Sequence, residues 1–289
     1  MLVPAQWQGS VEHFYHFFFG YFMPIALWLE KNPTQQVFLR DCGPMNPWLE
    51  LFSPETEIEF IPAGVMLQRV LTNRQENQIF WGWDNPTHFQ KSTIVRLRKV
   101  IERRLDFNQQ ISDVLSTKVT ILVRKTALEF FESRAEVQGS GAAARSIPNL
   151  HSVSNLLADD LDVTFLETAD KTPREQIEIL RNTKVLVAQH GAGLSNMIWM
   201  KPGTLVIEIQ PPLPQTIDSI FSNLAAAAGL RHTLFRQEHE HAEIDLHGLA
   251  QTINSQSNRS QFKCDSHFTI PKMPGSLPFR LVRVLPRSW

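Results

Sequence analysis

The stretch from Val185 to Pro212 reads VLVAQHGAGLSNMIWMKPGTLVIEIQPP. Residues 185–188 are a short apolar run of the kind that suits a strand buried on both faces. His190-Gly191-Ala192-Gly193 follows at once, a short helix is expected from Ser195, and Lys201-Pro202-Gly203 supplies its stop. A second apolar run over 205–209 makes the next strand. Strand, glycine turn, helix and strand in such close order form the unit of a parallel α/β sheet with right-handed crossovers.

Working outward, the same alternation continues. Residues 119–123 and 163–166 read as upstream strands, with a Gly-, Ala- and Ser-rich loop over 133–145 leading into a helix over 149–157. Thr172-Pro173-Arg174-Glu175 combines an N-cap, a proline at the first helical position and a glutamate three residues after the cap, so a helix runs from there to about Arg181. Downstream, a helix is expected over 218–229 and a strand over 232–235. The first half is less regular. Ser10 is placed to cap a helix beginning near Val11, with apolar residues at helical spacing from Phe14 to Leu29 and a kink near Gly20 imposed by Pro24. Strands are expected at 37–40, 58–61 and 79–81, a turn at 41–44 and a loop around Asn85-Pro86. A helix over 93–105 carries Arg96, Arg98, Lys99, Arg103 and Arg104. The tail after about residue 255 is polar, then basic and apolar.

The chain has 289 residues, 43% of them hydrophobic, which fits a folded protein of one large or two ordinary domains. With 28 Lys+Arg against 29 Asp+Glu, no global field recruits nucleic acid. Cys42 and Cys264 are the two cysteines, neither a disulfide framework nor a metal-ligand pattern. The N-terminus lacks the pattern of a secretory signal and the apolar stretch from 14 to 29 is short and interrupted, so a soluble, cytoplasmic protein is expected.

In a parallel sheet, ligands bind outside the carboxyl ends of the strands. His190, Gly191, Ala192 and Gly193 lie at such an end, where glycines admit close approach and a helix N-terminus presents free amides to an anion. Ser195 adds a hydroxyl. Arg124 closes the strand over 119–123 at the same rim, and Arg145 precedes the next helix. A charge-assisted arginine contact contributes roughly 1.5–3 kcal/mol, more than a helix terminus does, so arginines should dominate the binding of a diphosphate. Glu208, on a buried strand, needs a partner or a ligand and can accept from ribose hydroxyls. The same residues also admit plainer roles, the turn as a tight connection and each arginine as a solvated charge. A dinucleotide fingerprint is incomplete, with Asn196 where its third glycine belongs. A lipase-like oxyanion strand has no Gly-x-Ser-x-Gly partner, and no Walker loop exists. His239, Glu240, His241 and His247 read as a solvated turn and helix start rather than a metal site.

The run from Val185 to Pro212, with the Glu175-Gln176 helix start, Arg124, Arg145 and Asn149, and the histidine-containing EHFYHFFFGYFMP of residues 12–24, resembles glycosyltransferase family 61. That resemblance implies a GT-B-like α/β fold in which two Rossmann-like domains face each other across a cleft. Residues 1–115 would form the acceptor side and 116–255 the donor side, with 256–289 as a tail returning to the first domain. It implies inverting transfer from a UDP-sugar without a metal. Arg124, Arg145 and Asn149 would then lie at the donor, His190, Gly191, Ala192, Gly193 and Ser195 around its diphosphate, and Glu208 at the ribose. The chain departs from the family pattern at Gly20, where an aspartate is common one turn after the residue matching His16. On a regular helix His13, His16 and Gly20 share one face, opposite Phe14, Phe18, Tyr21 and Ile25. His16 is therefore the expected base, with Glu12 and Asp41 as rivals.

The acceptor is expected to be a glycan or lipid-linked glycan of a capsule or other surface polysaccharide. The basic helix over 93–105 would help to meet it at the inner face of a membrane. Two alternatives remain: a nicotinamide-dependent oxidoreductase or epimerase using the Gly191/Gly193 turn, and a non-catalytic nucleotide-sugar-binding relative, supported by Gly20.

Overall fold

The computed structural model of the chain describes residues 2–3, 11–53, 55–72, 89–107, 117–125, 141–159, 161–214 and 218–258. Strands β1 (Leu2–Val3), β2 (Val37–Arg40) and β3 (Ile58–Ile61) form a small parallel sheet in that order. Strands β4 (Thr117–Leu122), β5 (Leu161–Leu166), β6 (Val185–Gln189), β7 (Leu205–Gln210) and β8 (Arg231–Arg236) form the larger one. Its order is β5-β4-β6-β7-β8, every neighbouring pair parallel. Counted from β4 this is second, first, third, fourth, fifth, so the direction of connection reverses between β4 and β6. A ligand crevice opens at such a reversal, outside the carboxyl ends of the two strands. The architecture is Rossmann-like.

The apolar runs on β6 and β7 are buried along their whole length, as a covered parallel sheet requires. Leu122, Leu166, Leu186, Ala188 and Val206 face one side, and Val119, Ile121, Val185, Val187, Leu205, Ile207 and Ile209 the other. The first side is covered by the helices Pro173–Asn182 and Ile220–Ala228 and the 3-10 helix Ala192–Trp199. The Thr172 hydroxyl accepts from the Glu175 amide at 3.3 Å while the Glu175 carboxylate accepts from the Thr172 amide at 2.8 Å, the reciprocal cap expected from the sequence. The second side is covered by Leu150 and Val153 of a 3-10 helix (Leu150–Leu156) and by Leu249, Ala250 and Ile253 of the helix Leu246–Asn258.

In the first half, α-helical Phe14–Phe17 continues through π-helical Phe18–Phe22 into α-helical Met23–Leu29 without a break. The disturbance expected at Gly20 therefore takes the form of a widened turn. The amide of Met23 reaches back five residues to the Phe18 carbonyl, next to Pro24, which has no amide to offer Gly20 and whose ring would crowd that carbonyl in a regular helix. The one-sided reading of this helix is corrected as well. Residues 17–26 are all buried, Gly20 among them, because the helix packs between other elements instead of lining an open face. It packs against the helix Lys91–Arg104 and the 3-10 helix Ala192–Trp199. Trp48 stacks on Trp199 at 6.0 Å, and Phe18 meets their rings edge-on at 5.4 and 5.8 Å. One apolar cluster consequently runs from the smaller sheet into the larger.

The helix Lys91–Arg104 buries Ile94, Leu97, Val100 and Ile101. Its arginines have intramolecular partners: Arg96 and Arg103 pair with Glu30, Arg104 with Glu55, and Arg98 donates to the carbonyls of Ile198 and Ala228. Arg98 thus ties this helix to the second half of the chain, while Arg96, Arg103 and Arg104 bond within the first. No helix among the described residues is long and apolar enough to cross a membrane. Strand β1 and the helix Ala63–Thr72 were not expected from the sequence, whereas the helix Leu246–Asn258 begins where the turn and helix start around His247 were read. Ser10, the strand at 79–81, the Asn85-Pro86 loop, residues 133–140 and the tail beyond 258 lie outside the described residues.

Because Phe18 is fully buried between two tryptophans from different halves, Phe18→Ala should lose about 3–5 kcal/mol. Urea unfolding should show a single transition at a lower midpoint. Two separate transitions for the two halves would contradict a shared core.

Candidate functional site

Four chain segments meet at the reversal between β4 and β6. Arg124 lies two residues beyond β4, and its guanidinium donates to the carbonyl of Gly141 at 3.0 Å and to that of His190 at 2.6 Å. Arg145 donates to the same His190 carbonyl at 3.2 Å. The amide of Ala142 bonds the Lys125 carbonyl at 2.6 Å, which returns the residues before Arg145 to the end of β4. Among the described residues neither guanidinium is hydrogen-bonded to a carboxylate. Burial, and then the neighbouring charge of Arg145, pushes the pKa of Arg124 down to about 10. Burial lowers that of Arg145 too, partly offset by Glu240. Two guanidinium groups turned to one carbonyl dipole have the chemistry to receive an anion.

Gly191 makes this approach possible. A Cβ at that position would stand 1.8 Å from Nη2 of Arg124, so any side chain would expel the guanidinium. The 3-10 helix Ala192–Trp199 starts from Gly191, with the Leu194 amide bonded to the Gly191 carbonyl at 3.0 Å. At Gly193 an added Cβ would meet Leu122 at 3.7 Å, an ordinary contact. Within that helix the Ser195 hydroxyl is buried without a hydrogen-bond partner among the described residues, a polar group suited to a ligand or water.

The ring of His190 turns to the sheet. Its Nδ1 lies 2.5 Å from Oε1 of Glu208, and Nε2 of His232 lies 2.8 Å from Oε2. Glu208 on β7 is fully buried. Register pairs Val206 with His232, which puts His232 on the face that carries Glu208. Burial pushes the Glu208 carboxyl up, but the bonds from His190 and His232 together outweigh it and hold the pKa below the ordinary carboxylate value. The ionised carboxylate is thus sustained by two imidazole N–H donors. Both oxygens are engaged and neither is exposed, so the ribose contact expected of Glu208 is replaced by a bridge between two histidines.

Phe221 packs against His190 at 5.0 Å and against Tyr15 at 6.0 Å. Tyr15 in turn meets the ring of His16 edge-on at 5.5 Å. The helix that bears His16 therefore reaches the His190 loop through two aromatic rings. His16 is half-buried, its pKa lowered by burial and then by His13, so it is held neutral and able to accept a proton. Glu12 is buried just before that helix. Asp41, exposed after β2, accepts from the Gly43 amide and the Asn46 side chain, both at 2.8 Å, and closes the turn there. Asn149 is likewise engaged elsewhere. Its amide group donates to the Ile244 carbonyl at 2.9 Å and accepts from the Ile244 amide at 3.2 Å, which fixes a loop to the second side of the sheet. The structure thus gathers Arg124, Arg145, His190, Gly191, Ala192, Gly193, Ser195 and Glu208, and gives Asn149 and Asp41 structural bonds.

Sequence reasoning missed His232 and Phe221. A signal for His232 existed: a carboxylate on a buried strand demands a donor, and the neighbouring strand supplies one two residues before its register partner Leu234.

The larger sheet, with two arginines meeting at its rim, defines a Rossmann-like α/β protein. The profile of the family described as Glycosyltransferase 61 matches residues 14–207. The chain belongs to glycosyltransferase family 61 and is a glycosyltransferase. No curated protein matches it significantly.

Replacing Glu208 by Ala leaves two buried imidazole donors without an acceptor and should destabilise the fold by about 1–3 kcal/mol. The pH dependence has a definite sign. A carboxyl whose folded pKa is depressed stabilises fully above its unfolded value of about 4.3, and that contribution fades as pH falls through the folded value. The melting temperature of the wild type should therefore fall more steeply below pH ~4.3 than that of Glu208→Gln. Parallel acid limbs would show that the carboxylate is not linked to folding.

Proposed function

We propose that the protein is an inverting glycosyltransferase that moves a sugar from a nucleotide-sugar, a UDP-sugar in the reading preferred here, to a hydroxyl of a glycan acceptor. The observation that carries this proposal is the convergence of Arg124 and Arg145 on the carbonyl of His190, at 2.6 and 3.2 Å, with no carboxylate among the described residues bonded to either. A diphosphate supplies the negative charge that such a pair lacks, and accepts further bonds from the remaining guanidinium N–H groups. Two fixed cations can neutralise the leaving diphosphate in place of a divalent metal, so a metal-independent reaction is proposed. Gly191, Ala192 and Gly193 let the phosphates approach the main chain, and the Ser195 hydroxyl is available beneath them.

Inversion requires the acceptor oxygen to attack the anomeric carbon from the side opposite the diphosphate while a base takes its proton. His16, kept neutral and joined to the donor loop through Tyr15 and Phe221, is our choice for that base. Asp41 is less suited, since its carboxylate already accepts two bonds in a turn. The division into an acceptor side (1–115) and a donor side (116–255) in a GT-B-like arrangement belongs to the same proposal. So does a role in capsule or surface-polysaccharide synthesis on the cytoplasmic side of a membrane.

A panel of UDP-sugars should raise the melting temperature of the wild type, since a ligand that binds only the folded state stabilises it. Arg124→Ala and Arg145→Ala should each weaken binding by about 10- to 150-fold, the equivalent of a charge-assisted contact. His16→Ala should keep donor binding and lose transfer. No shift with any nucleotide-sugar, or equal shifts in both arginine variants, would refute the reading.

A further inference from the structure

The two guanidinium groups at the rim are held unequally. Arg124 donates to two carbonyls, those of Gly141 and His190, at 3.0 and 2.6 Å. Among the described residues the Arg145 side chain makes one hydrogen bond, to the His190 carbonyl at 3.2 Å, and its Nε is buried without a partner. What fixes Arg145 is therefore its main chain, which is tied at the next residue. We infer that Gln189 and Gln237 are positioning residues: with the loop after β8 they clamp Ser146 and so set where the Arg145 guanidinium stands, a role that rests on the donor site proposed above. Gln237 and that loop lie beyond the residues matched by the family profile, 14–207.

Ser146 is bonded through all its polar atoms. Its amide donates to the Glu240 carbonyl at 2.8 Å, and its hydroxyl lies 2.9 Å from Nδ1 of His241. Its carbonyl accepts from Nε2 of Gln237 at 3.0 Å and from Nε2 of Gln189 at 3.2 Å. The glutamines also bond each other, Nε2 of Gln189 donating to Oε1 of Gln237 at 2.6 Å. The remaining bonds run to the loop: Gln189 to the Glu240 carbonyl at 3.1 Å and Gln237 to the Ala242 carbonyl at 2.6 Å. Both side chains are buried, with exposures of 6% and 4%. Each Nε2 faces acceptors alone, so neither amide can be reversed without setting oxygen against oxygen. One arrangement of the knot is specified.

Its place in the sheet gives it leverage on the site. Successive side chains of a strand leave opposite faces, so Gln189 belongs with Val185 and Val187 while the ring of His190 turns to Glu208 on the other side. The main chain leading to the shared carbonyl is thus gripped from both faces. The Gln237 amide donates to the Gln210 carbonyl at 3.0 Å, which roots the knot at the end of β7. Arg145 sits between Ser146 and Ala142, and the amide of Ala142 bonds the Lys125 carbonyl. The segment that bears it is strung from the end of β4 to the loop after β8. Release at Ser146 frees Arg145 to leave the carbonyl, whereas Arg124 follows directly from β4 and stays. The same loop brings the charge of Glu240 towards Arg145, which partly offsets the effect of burial on its pKa.

A double-mutant cycle on UDP binding by the full chain, followed by calorimetry to high UDP concentration, separates positioning from general support. Gln237→Leu removes the bonds to Ser146 and Gln189 and should weaken UDP binding by about threefold to tenfold. In an Arg145→Ala chain the same substitution should change affinity by less than about twofold, because the group it positions is gone. A glutamine pair that only supported the fold would weaken binding by one factor in both chains, and that equal loss overturns the inference. Wild-type affinity in Gln237→Leu overturns it too. Should Gln237→Leu fail to fold, Ser146→Ala decides, since it removes the hydroxyl bond to His241 and leaves the buried glutamines in place. It should weaken UDP binding by about twofold or more with Arg145 present and leave it unchanged in Arg145→Ala. Equal effects in the two chains, or none in either, overturn the inference while the donor site stands. No binding of UDP, GDP or pyrophosphate by wild type overturns the donor site with it.

Discussion

Two half-buried guanidinium groups share one carbonyl oxygen, that of His190, and the rest of the site is arranged around this contact. They carry like charge, and partial burial costs each of them hydration. Single backbone bonds do not repay that in full. The larger parallel sheet sets the end of β4 beside the end of β6, which brings Arg124 to the carbonyl of His190. The absence of a side chain at Gly191 is part of the same arrangement, because even a methyl group there would occupy the position of Arg124.

The sheet can hold this geometry because it is covered on both faces by unlike layers. One face is closed by the helix Leu246–Asn258 and the 3-10 helix Leu150–Leu156. The other continues through Trp199, Trp48 and Phe18 into the first half of the chain. This continuity explains why a helix near the N-terminus, with Tyr15 and His16, ends beside a loop more than 170 residues later. The π-helical turn at Phe18–Phe22 belongs to the same packing, since all five of its residues are buried.

The parallel sheet of the second half was legible because strands buried on both faces are written as unbroken apolar runs, and Thr172 to Glu175 announced its helix without ambiguity. The meeting of Arg124, Arg145 and the His190 loop followed from their places beyond the carboxyl ends of neighbouring strands. The small sheet was legible at β2 and β3 but not at β1, since two residues carry no period. Amphipathic spacing failed for the first helix for a physical reason: one packed on every side has no polar face to declare. Side-chain pairing was the least legible. Asn149 looked like a ligand contact because it sits near Arg145, yet its amide completes a backbone pair with Ile244, ninety-five residues away in sequence. Nothing local to Asn149 encodes that partner.

Glu208 joins these two lessons. In the sequence it was conspicuous as a charge on a strand that admits none, which pointed to a ligand. In the structure its charge is met from within, by His190 on one side and His232 on the other. The demand was read correctly and the supplier was not, because His232 lies on the edge strand β8, where a lone histidine between Arg231 and Thr233 looks like surface. Yet removing either imidazole would leave a buried carboxylate short of a donor, at a cost comparable to the whole contribution of one arginine contact. The orientation of the His190 ring thus depends on β8, the last strand in the sheet.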